Sequence, residues 1–253
     1  MSYYICENVF VPLRSGPSHK SEMLSQLLFG EKYEITGEAG KWIKIRTVFD
    51  NYEGWIDTDH LQHTEDNGSS KSVVLGRSLL CIKKDNSKLN LEPGSEIYDP
   101  DLSSGSFKLG NEIYTTNGHL TQSHIKVNES LPETAMRFIN SPYIWGGRIP
   151  SGIDCSGLTQ LVYKIHGKGI RRDASQQAEQ GETINLLTDS RPGDLVFFDN
   201  ERGIITHVGM MLAEGLVIHA SGRVRIDSID HQGIFKPETG KYSHHLRLIK
   251  RIA

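Results

Sequence analysis

Apolar positions along the chain change their period twice. Up to residue 63 they alternate with polar positions in short runs: Lys32-Tyr33-Glu34-Ile35-Thr36, Trp42-Ile43-Lys44-Ile45-Arg46 and Gly54-Trp55-Ile56. Glycines and polar turns separate these runs, which predicts a small antiparallel β unit over 1–63. Thr64 to Lys71 is polar and without periodicity, the composition of a linker. A second set of short strands is predicted over 72–127, at Ser72 to Ile82, Glu96 to Tyr98, Ser106 to Leu109 and Glu112 to Thr115. Pro93-Gly94, Asp99-Pro100-Asp101 and Asn117-Gly118 break them, and the unit matches the first in length. From residue 128 to 253 the texture alters. Pro132 to Asn140 carries a helical apolar face, and Asp154 to His166 places Leu158, Leu161, Val162 and Ile165 on one stripe ending at Gly167. A short helix over Ser175 to Gln180 follows, then strands over 194–198, 207–212, 216–220 and 246–250. Helices first and an antiparallel sheet afterwards predict an α+β unit.

Composition narrows the class. At ~150 residues per domain, 253 residues make one large domain or a few small ones, able to bury a core without disulfides or metals. A net charge of −3 with 23% charged residues argues against a nucleic-acid binder, which would normally show a basic face. No run approaches the ~20 apolar residues of a membrane span, so no membrane partner is expected. The opening MSYYICENVF lacks the basic and then apolar pattern of a secretory signal. Cys6, Cys81 and Cys155 are too few and too far apart for a disulfide framework or a CxxC zinc site. Phosphate-cradling GxGxxG and GxxxxGK[ST] patterns are missing as well. The expectation is a cytoplasmic monomer without cofactor or metal, or a periplasmic one if a leader has been removed.

One cysteine stands apart. Cys155 opens an amphipathic helix after a loop holding Gly146, Gly147, Pro150 and Gly152. There the helix dipole and neighbouring N–H donors favour a thiolate, and the cysteine's own N–H can serve an oxyanion. A buried cysteine acting as a small hydrophobe fits the position equally well. His207 and His219 lie on adjacent predicted strands joined by a turn at Ala213-Glu214-Gly215, so the rings can meet across a hairpin. Nucleophile, base and orienting partner are then filled by Cys155, His207 and His219. The other histidines, His244-His245 before the last strand included, fall in polar turn-like contexts.

Four ordered motifs carry a resemblance. Ser141-Pro-Tyr-Ile-Trp-Gly-Gly147 with Asp154-Cys-Ser-Gly157, then Arg191 to Phe198, Ile205 to Gly209 and Val217 to Ser221, resemble the NlpC/p60 cell-wall cysteine peptidases. The resemblance implies a papain-like catalytic domain over 128–253 and a Cys155, His207, His219 triad. It further implies that Tyr143 faces the nucleophile and that Asp154 and Ser156 meet a short murein peptide, helix capping being the competing role for both. Arg172-Asp-Ala-Ser-Gln-Gln177 resembles a groove-lining segment, which puts Asp173 and Ser175 in the substrate site. Val11-Pro-Leu-Arg14, Leu28-Phe-Gly-Glu31, Trp42-Ile-Lys-Ile45 and Gly54-Trp-Ile56 resemble bacterial SH3-like barrels; the second β unit is assigned as a divergent barrel from its size and place. The layout is similar to γ-D-glutamyl-L-diamino acid endopeptidases of murein recycling. That implies a substrate L-Ala-γ-D-Glu-diamino acid with a free amino terminus, the diamino acid being diaminopimelate or lysine. From the first barrel Glu22 and Tyr52 would hold the L-alanine, with a solvated loop and barrel packing as their competing roles. The rival functions are an amidase or acyltransferase on the same core and a non-catalytic wall-binding protein.

Overall fold

The alternating runs do pair into sheets. A computed structural model describes residues 3–60, 64–65 and 72–252, and the chain divides into two compact units, Met1–Asn128 and Glu129–Ala253. In the first unit, β1 (Tyr4–Ile5), β2 (Phe10–Arg14), β3 (Met23–Leu28), β4 (Lys32–Ala39), β5 (Trp42–Thr47), β6 (Glu53–Asp57) and β7 (Thr64–Glu65) form one antiparallel sheet. Its order is β3-β2-β6-β5-β4-β1-β7. Strand alternation drives Val11, Leu13, Leu27, Tyr33, Ile43, Ile45 and Ile56 into a single cluster. Residues 66–71 of the expected linker lie outside the described residues.

A second sheet follows, built from β8 (Ser72–Val74), β9 (Leu79–Ile82), β10 (Lys88–Leu91), β11 (Glu96–Asp101), β12 (Ser106–Leu109) and β13 (Glu112–Thr115) in the order β10-β9-β13-β12-β11-β8. The two sheets do not keep separate cores. Phe29 and Ile5 of the first lie in the same buried cluster as Leu79, Leu91, Phe107 and Tyr114 of the second. The Phe29 ring meets Phe107 and Tyr114 edge-on, with centroids 6.2 and 5.4 Å away. Backbone bonds repeat the link: Glu96 N–H donates to the Phe29 carbonyl at 2.8 Å and Tyr98 Oη to the Gly30 carbonyl at 2.7 Å. Gly30 has φ +79°, and a Cβ there would stand 1.9 Å from the Glu96 carbonyl oxygen, so this close approach requires glycine.

The second unit opens with α2 (Leu131–Met136), after a one-turn α1 (Gln122–Ile125) that ends the first. Ser130 caps α2 through a box with Glu133, and Pro132 sits in its first turn. Then come β14 (Arg148–Ile149), β15 (Gly152–Ile153), α3 (Cys155–Ile165) and α4 (Ala174–Gln177). The remaining strands are β16 (Glu182–Ile184), β17 (Leu195–Asp199), β18 (Ile205–Ala213), β19 (Leu216–Ser221), β20 (Arg223–Asp230), β21 (Gly233–Lys236) and β22 (Lys241–Arg251). They order as β16-β22-β17-β18-β19-β20-β21, and β21 also pairs with β22, which closes the sheet upon itself. Val196, Phe198, Met211, Val217, Ile229, Ile234 and Ile249 fill one face. The apolar stripe of α3 predicts one buried face, yet all its residues are buried. Its polar side is accommodated by hydrogen bonds, Thr159 Oγ1 to Gln177 Oε1 at 2.8 Å and Gln160 Nε2 to the Ile170 carbonyl at 3.1 Å. No helix among the described residues is long and apolar enough to cross a membrane.

The shared core makes a prediction. Phe29→Ala should cost about 3–5 kcal/mol, the usual range for a buried Phe truncation. Because the ring belongs to the second sheet's core, amide exchange in β9 and β12 should accelerate along with that in β2 and β3. Acceleration limited to the first sheet would mean that the two sheets unfold independently.

Candidate active site

The nucleophile position is set by backbone crowding. Pro142 bridges to Arg223 and Tyr143 to Ile153, and Tyr143 N–H donates to the Gly222 carbonyl at 3.0 Å, so residues 141–144 are fastened between β15 and β20. The loop then presses on the first turn of α3: a Cβ on Gly157 would lie 2.2 Å from the Gly147 carbonyl oxygen. Asp154 is the N-cap, with Oδ1 accepting from Gly157 N–H at 2.6 Å and Oδ2 from Gly146 N–H at 2.8 Å. Arg172, 1% exposed, grips the same carboxylate with both ends of its guanidinium, at 3.0 Å to Oδ1 and 2.5 Å to Oδ2. Arg172 Nη1 also donates to Ser156 Oγ at 2.8 Å. Asp154 and Ser156 therefore act as cap and bracket for the nucleophile's helix.

The backbone N–H groups of Val208 and Ser156 lie beside the Cys155 sulfur and favour its thiolate form. Val208 follows His207 on β18, so the thiol lies against the strand that carries the histidine. Burial pushes the Cys155 thiol up to about 12, helped by the Asp154 charge and opposed by the two N–H donors and Arg172. The lowered thiol expected from a helix start is thus overturned, because desolvation of a buried sulfur outweighs the dipole.

From the same strand, β18, runs a line of hydrogen bonds. His207 Nε2 is 2.8 Å from His219 Nδ1, and His219 Nε2 is 2.9 Å from Asp227 Oδ2. Arg225 closes the line, donating from Nε and Nη2 to Asp227 Oδ1 at 3.1 and 2.7 Å. Burial alone would raise the Asp227 carboxyl, but the His219 and Arg225 hydrogen bonds hold it below the usual carboxylate range. The hairpin brings His219 opposite Gly209, where a Cβ would stand 3.1 Å from His219 Cβ and 2.6 Å from Val217 Cγ2. A glycine at 209 is what lets the two rings close on each other. His207 is pushed well below the ordinary histidine value by burial, then by the neighbouring His219 and His244.

His244 corrects the sequence reading. It lies within β22, not in a turn, and its ring stacks on His207 with centroids 4.3 Å apart. Burial first, then His219 and Lys236, lower His244 to about 4, so it stays neutral beside the base. Tyr143 is half-buried, and burial together with the Cys155 and Asp154 charges raises its phenol. Asp173 is half-buried at the N-cap of α4, where its N–H donates to Gln176 Oε1 at 3.3 Å, and Ser175 is exposed one turn position on. Glu22 and Tyr52 belong to the first unit. Glu22 is exposed, its carbonyl accepting from Ser15 N–H at 2.9 Å, and Tyr52 packs on the barrel core in the turn between β5 and β6. Sequence reasoning missed Asp227, Arg225 and His244 and gave Arg172 no role. The signal for two of them was present: Arg223-Val-Arg-Ile-Asp227 alternates as a strand should, and that strand pairs with the one bearing His219.

Residues 140–242 match the NlpC/P60 family, and residues 13–61 match the bacterial dipeptidyl-peptidase Sh3 domain. The chain is 30% identical to the gamma-D-glutamyl-L-lysine dipeptidyl-peptidase of Bacillus subtilis (strain 168), over 82% of this chain and 75% of that protein. It is 28% identical to dipeptidyl-peptidase 6 of Lysinibacillus sphaericus, over 87% and 89% of the two chains. In fold it is similar to an NlpC/P60 family protein from Bacillus cereus ATCC 10987, with a TM-score of 0.81, 19% identity and 99% of both chains covered. A sequence that carries the four motifs, a sheet that closes behind them and a relative matched over three quarters of its length have one reading: the chain belongs to the NlpC/P60 family of cysteine peptidases, with two antiparallel SH3-like sheets ahead of its α+β catalytic domain.

Proposed function

We propose that this peptidase hydrolyses the γ-D-glutamyl–L-diamino acid bond of short murein peptides bearing a free N-terminal L-alanine. The observation that carries the chemistry is the hydrogen-bonded line from His207 through His219 to Asp227, on the strand whose Val208 backbone lies beside Cys155. The substrate class is supported by the B. subtilis relative, whose name gives γ-D-glutamyl-L-lysine as its target.

Asp227 accepts, so His219 Nε2 carries the proton of that bond and its Nδ1 is a lone pair. His207 Nε2 must then donate to His219 Nδ1, which leaves His207 Nδ1 free to accept. With the thiol raised and the imidazole lowered, the resting pair is neutral. As Cys155 Sγ attacks the glutamyl γ-carbonyl, its proton passes to His207 Nδ1, and Cys155 N–H at the helix start faces the developing oxyanion. The imidazolium returns that proton to the departing amine of the diamino acid. Water, deprotonated by the same Nδ1, then cleaves the thioester and restores the thiol. The resemblance puts the substrate's ammonium at Asp154, with Tyr143, Ser156, Asp173 and Ser175 lining the site.

Product analysis tests this assignment. L-Ala-γ-D-Glu-L-Lys and its diaminopimelate counterpart should yield L-Ala-D-Glu and the free diamino acid, and Cys155→Ala should yield neither. N-acetylation of the alanine should lower kcat/KM by at least ~10², roughly the 3 kcal/mol of a charge left unpaired on one side. Equal rates for free and acetylated peptides would remove the amino-terminal requirement.

The shifts also set a pH profile. A lowered His207 keeps its lone pair below pH 6.5, so the acid limb of kcat/KM should lie on the acid side of an ordinary histidine. A thiol raised to about 12 stays protonated at neutrality, so iodoacetamide labelling of Cys155 should be slow at pH 7 and climb steadily above pH 8. Fast labelling at pH 6 would mean a preformed thiolate–imidazolium pair instead.

A further inference from the structure

We propose that Asp227, clamped by Arg225, is a positioning residue that selects the tautomer of both histidines and so decides whether His207 can accept the thiol proton. The inference rests on the catalytic roles given above to Cys155, His207 and His219. Each ring has one donor and one acceptor nitrogen when neutral, and the rings are joined Nε2 to Nδ1 at 2.8 Å. Only two proton arrangements satisfy that bond. In one, every donor points from His207 toward Asp227 and the His207 Nδ1 lone pair is free. In the other, every donor points back, and His207 Nδ1 carries a hydrogen where the thiol needs an acceptor.

His219 is fully buried at 0% exposure, so no water can substitute for the partner at its Nε2. What stands there is a carboxylate oxygen 2.9 Å away, a group that accepts and never donates. The second oxygen is occupied by two Arg225 donors at 3.1 and 2.7 Å, which fix the carboxylate plane and keep it charged. Arg225 itself pairs across the ladder with His219, so β20 delivers the clamp and its target from neighbouring positions. The choice of tautomer is thereby made three groups away from the sulfur.

Asparagine at 227 is the decisive variant. It keeps the shape of aspartate, and Arg225, a donor only, holds the amide oxygen on its own side. The amide NH2 must then face His219 Nε2, which becomes an acceptor, and both rings switch to the unproductive arrangement. Asp227→Asn should therefore lower kcat by about 10²–10⁴-fold with KM within about threefold, since the known cost of a wrong catalytic-histidine tautomer reaches ~10⁴. Asp227→Ala enforces neither arrangement and should cost less, about tenfold. Adding Arg225→Ala to Asp227→Asn frees the amide to turn over and should recover part of the loss. Nitrogen NMR of 15N-histidine protein should find His207 Nδ1 unprotonated in the wild type and protonated in Asp227→Asn, with thermal midpoints nearly unchanged.

A merely structural Asp227 would reverse the order, the isosteric asparagine being milder than alanine, and would leave the tautomers alone; that result overturns the proposal. Unchanged kcat in Asp227→Asn does so too. Turnover by Cys155→Ala would instead overturn the catalytic assignment on which it rests, so the two failures are told apart.

Discussion

The catalytic unit hangs on one buried carboxylate. Asp154 binds the amide of Gly146 in the preceding loop, the amide of Gly157 in the first turn of α3, and both arms of Arg172 from the segment leading into α4. Three stretches of chain are thus fixed relative to the nucleophile by two oxygen atoms. Removing one partner from such a pair typically costs 3–5 kcal/mol, because the other charge is left buried and unpaired. What Asp154 contributes is geometry. The sulfur, one residue on, inherits a fixed place against β18.

That place is dry, and dryness sets the chemistry. Desolvation raises the thiol and lowers His207, both toward neutrality, while the amides of Val208 and Ser156 wait at the sulfur. A neutral resting pair means that charge appears only as the bond to substrate forms, where fixed donors can meet it without reorganising. The histidine stack contributes in the same sense. His244 covers the face of His207 and is itself held near 4, so it adds shielding without adding positive charge at neutral pH. A solvated helix start would have produced a reactive thiolate; burial of the same helix start produces a thiol that waits for its base.

Much of this was legible beforehand, and the limits have physical causes. Alternation and turn residues located both β sheets, and the helix cap, stripe and terminal Gly167 located α3, because those signals are local. Cys155, His207 and His219 could be grouped since each sits in a distinctive local frame. His244 could not: a polar run, Lys241-Tyr-Ser-His-His245, reads as a turn, and it becomes strand only because closure of the sheet pairs it with β21. The shared core of the first two sheets was equally hidden. It depends on Phe29 and the αL turn at Gly30, whose partners lie some seventy residues further along the chain.

The direction of error in the thiol's ionisation is the instructive part. A sequence identifies the donors at a helix start, which are covalently prescribed, but not how much water remains, which depends on every element packed around it. Here even the polar side of α3 is enclosed, with Thr159, Gln160 and Lys164 at or near zero exposure. Once the solvent is gone, proton positions are no longer averaged by water and must be dictated by fixed groups. That is why a line of hydrogen bonds reaching out to Asp227 and Arg225 can govern an atom at the other end: the guanidinium that anchors the line is partly solvated, and the bond that transmits its preference runs through His219, which has no exposure at all.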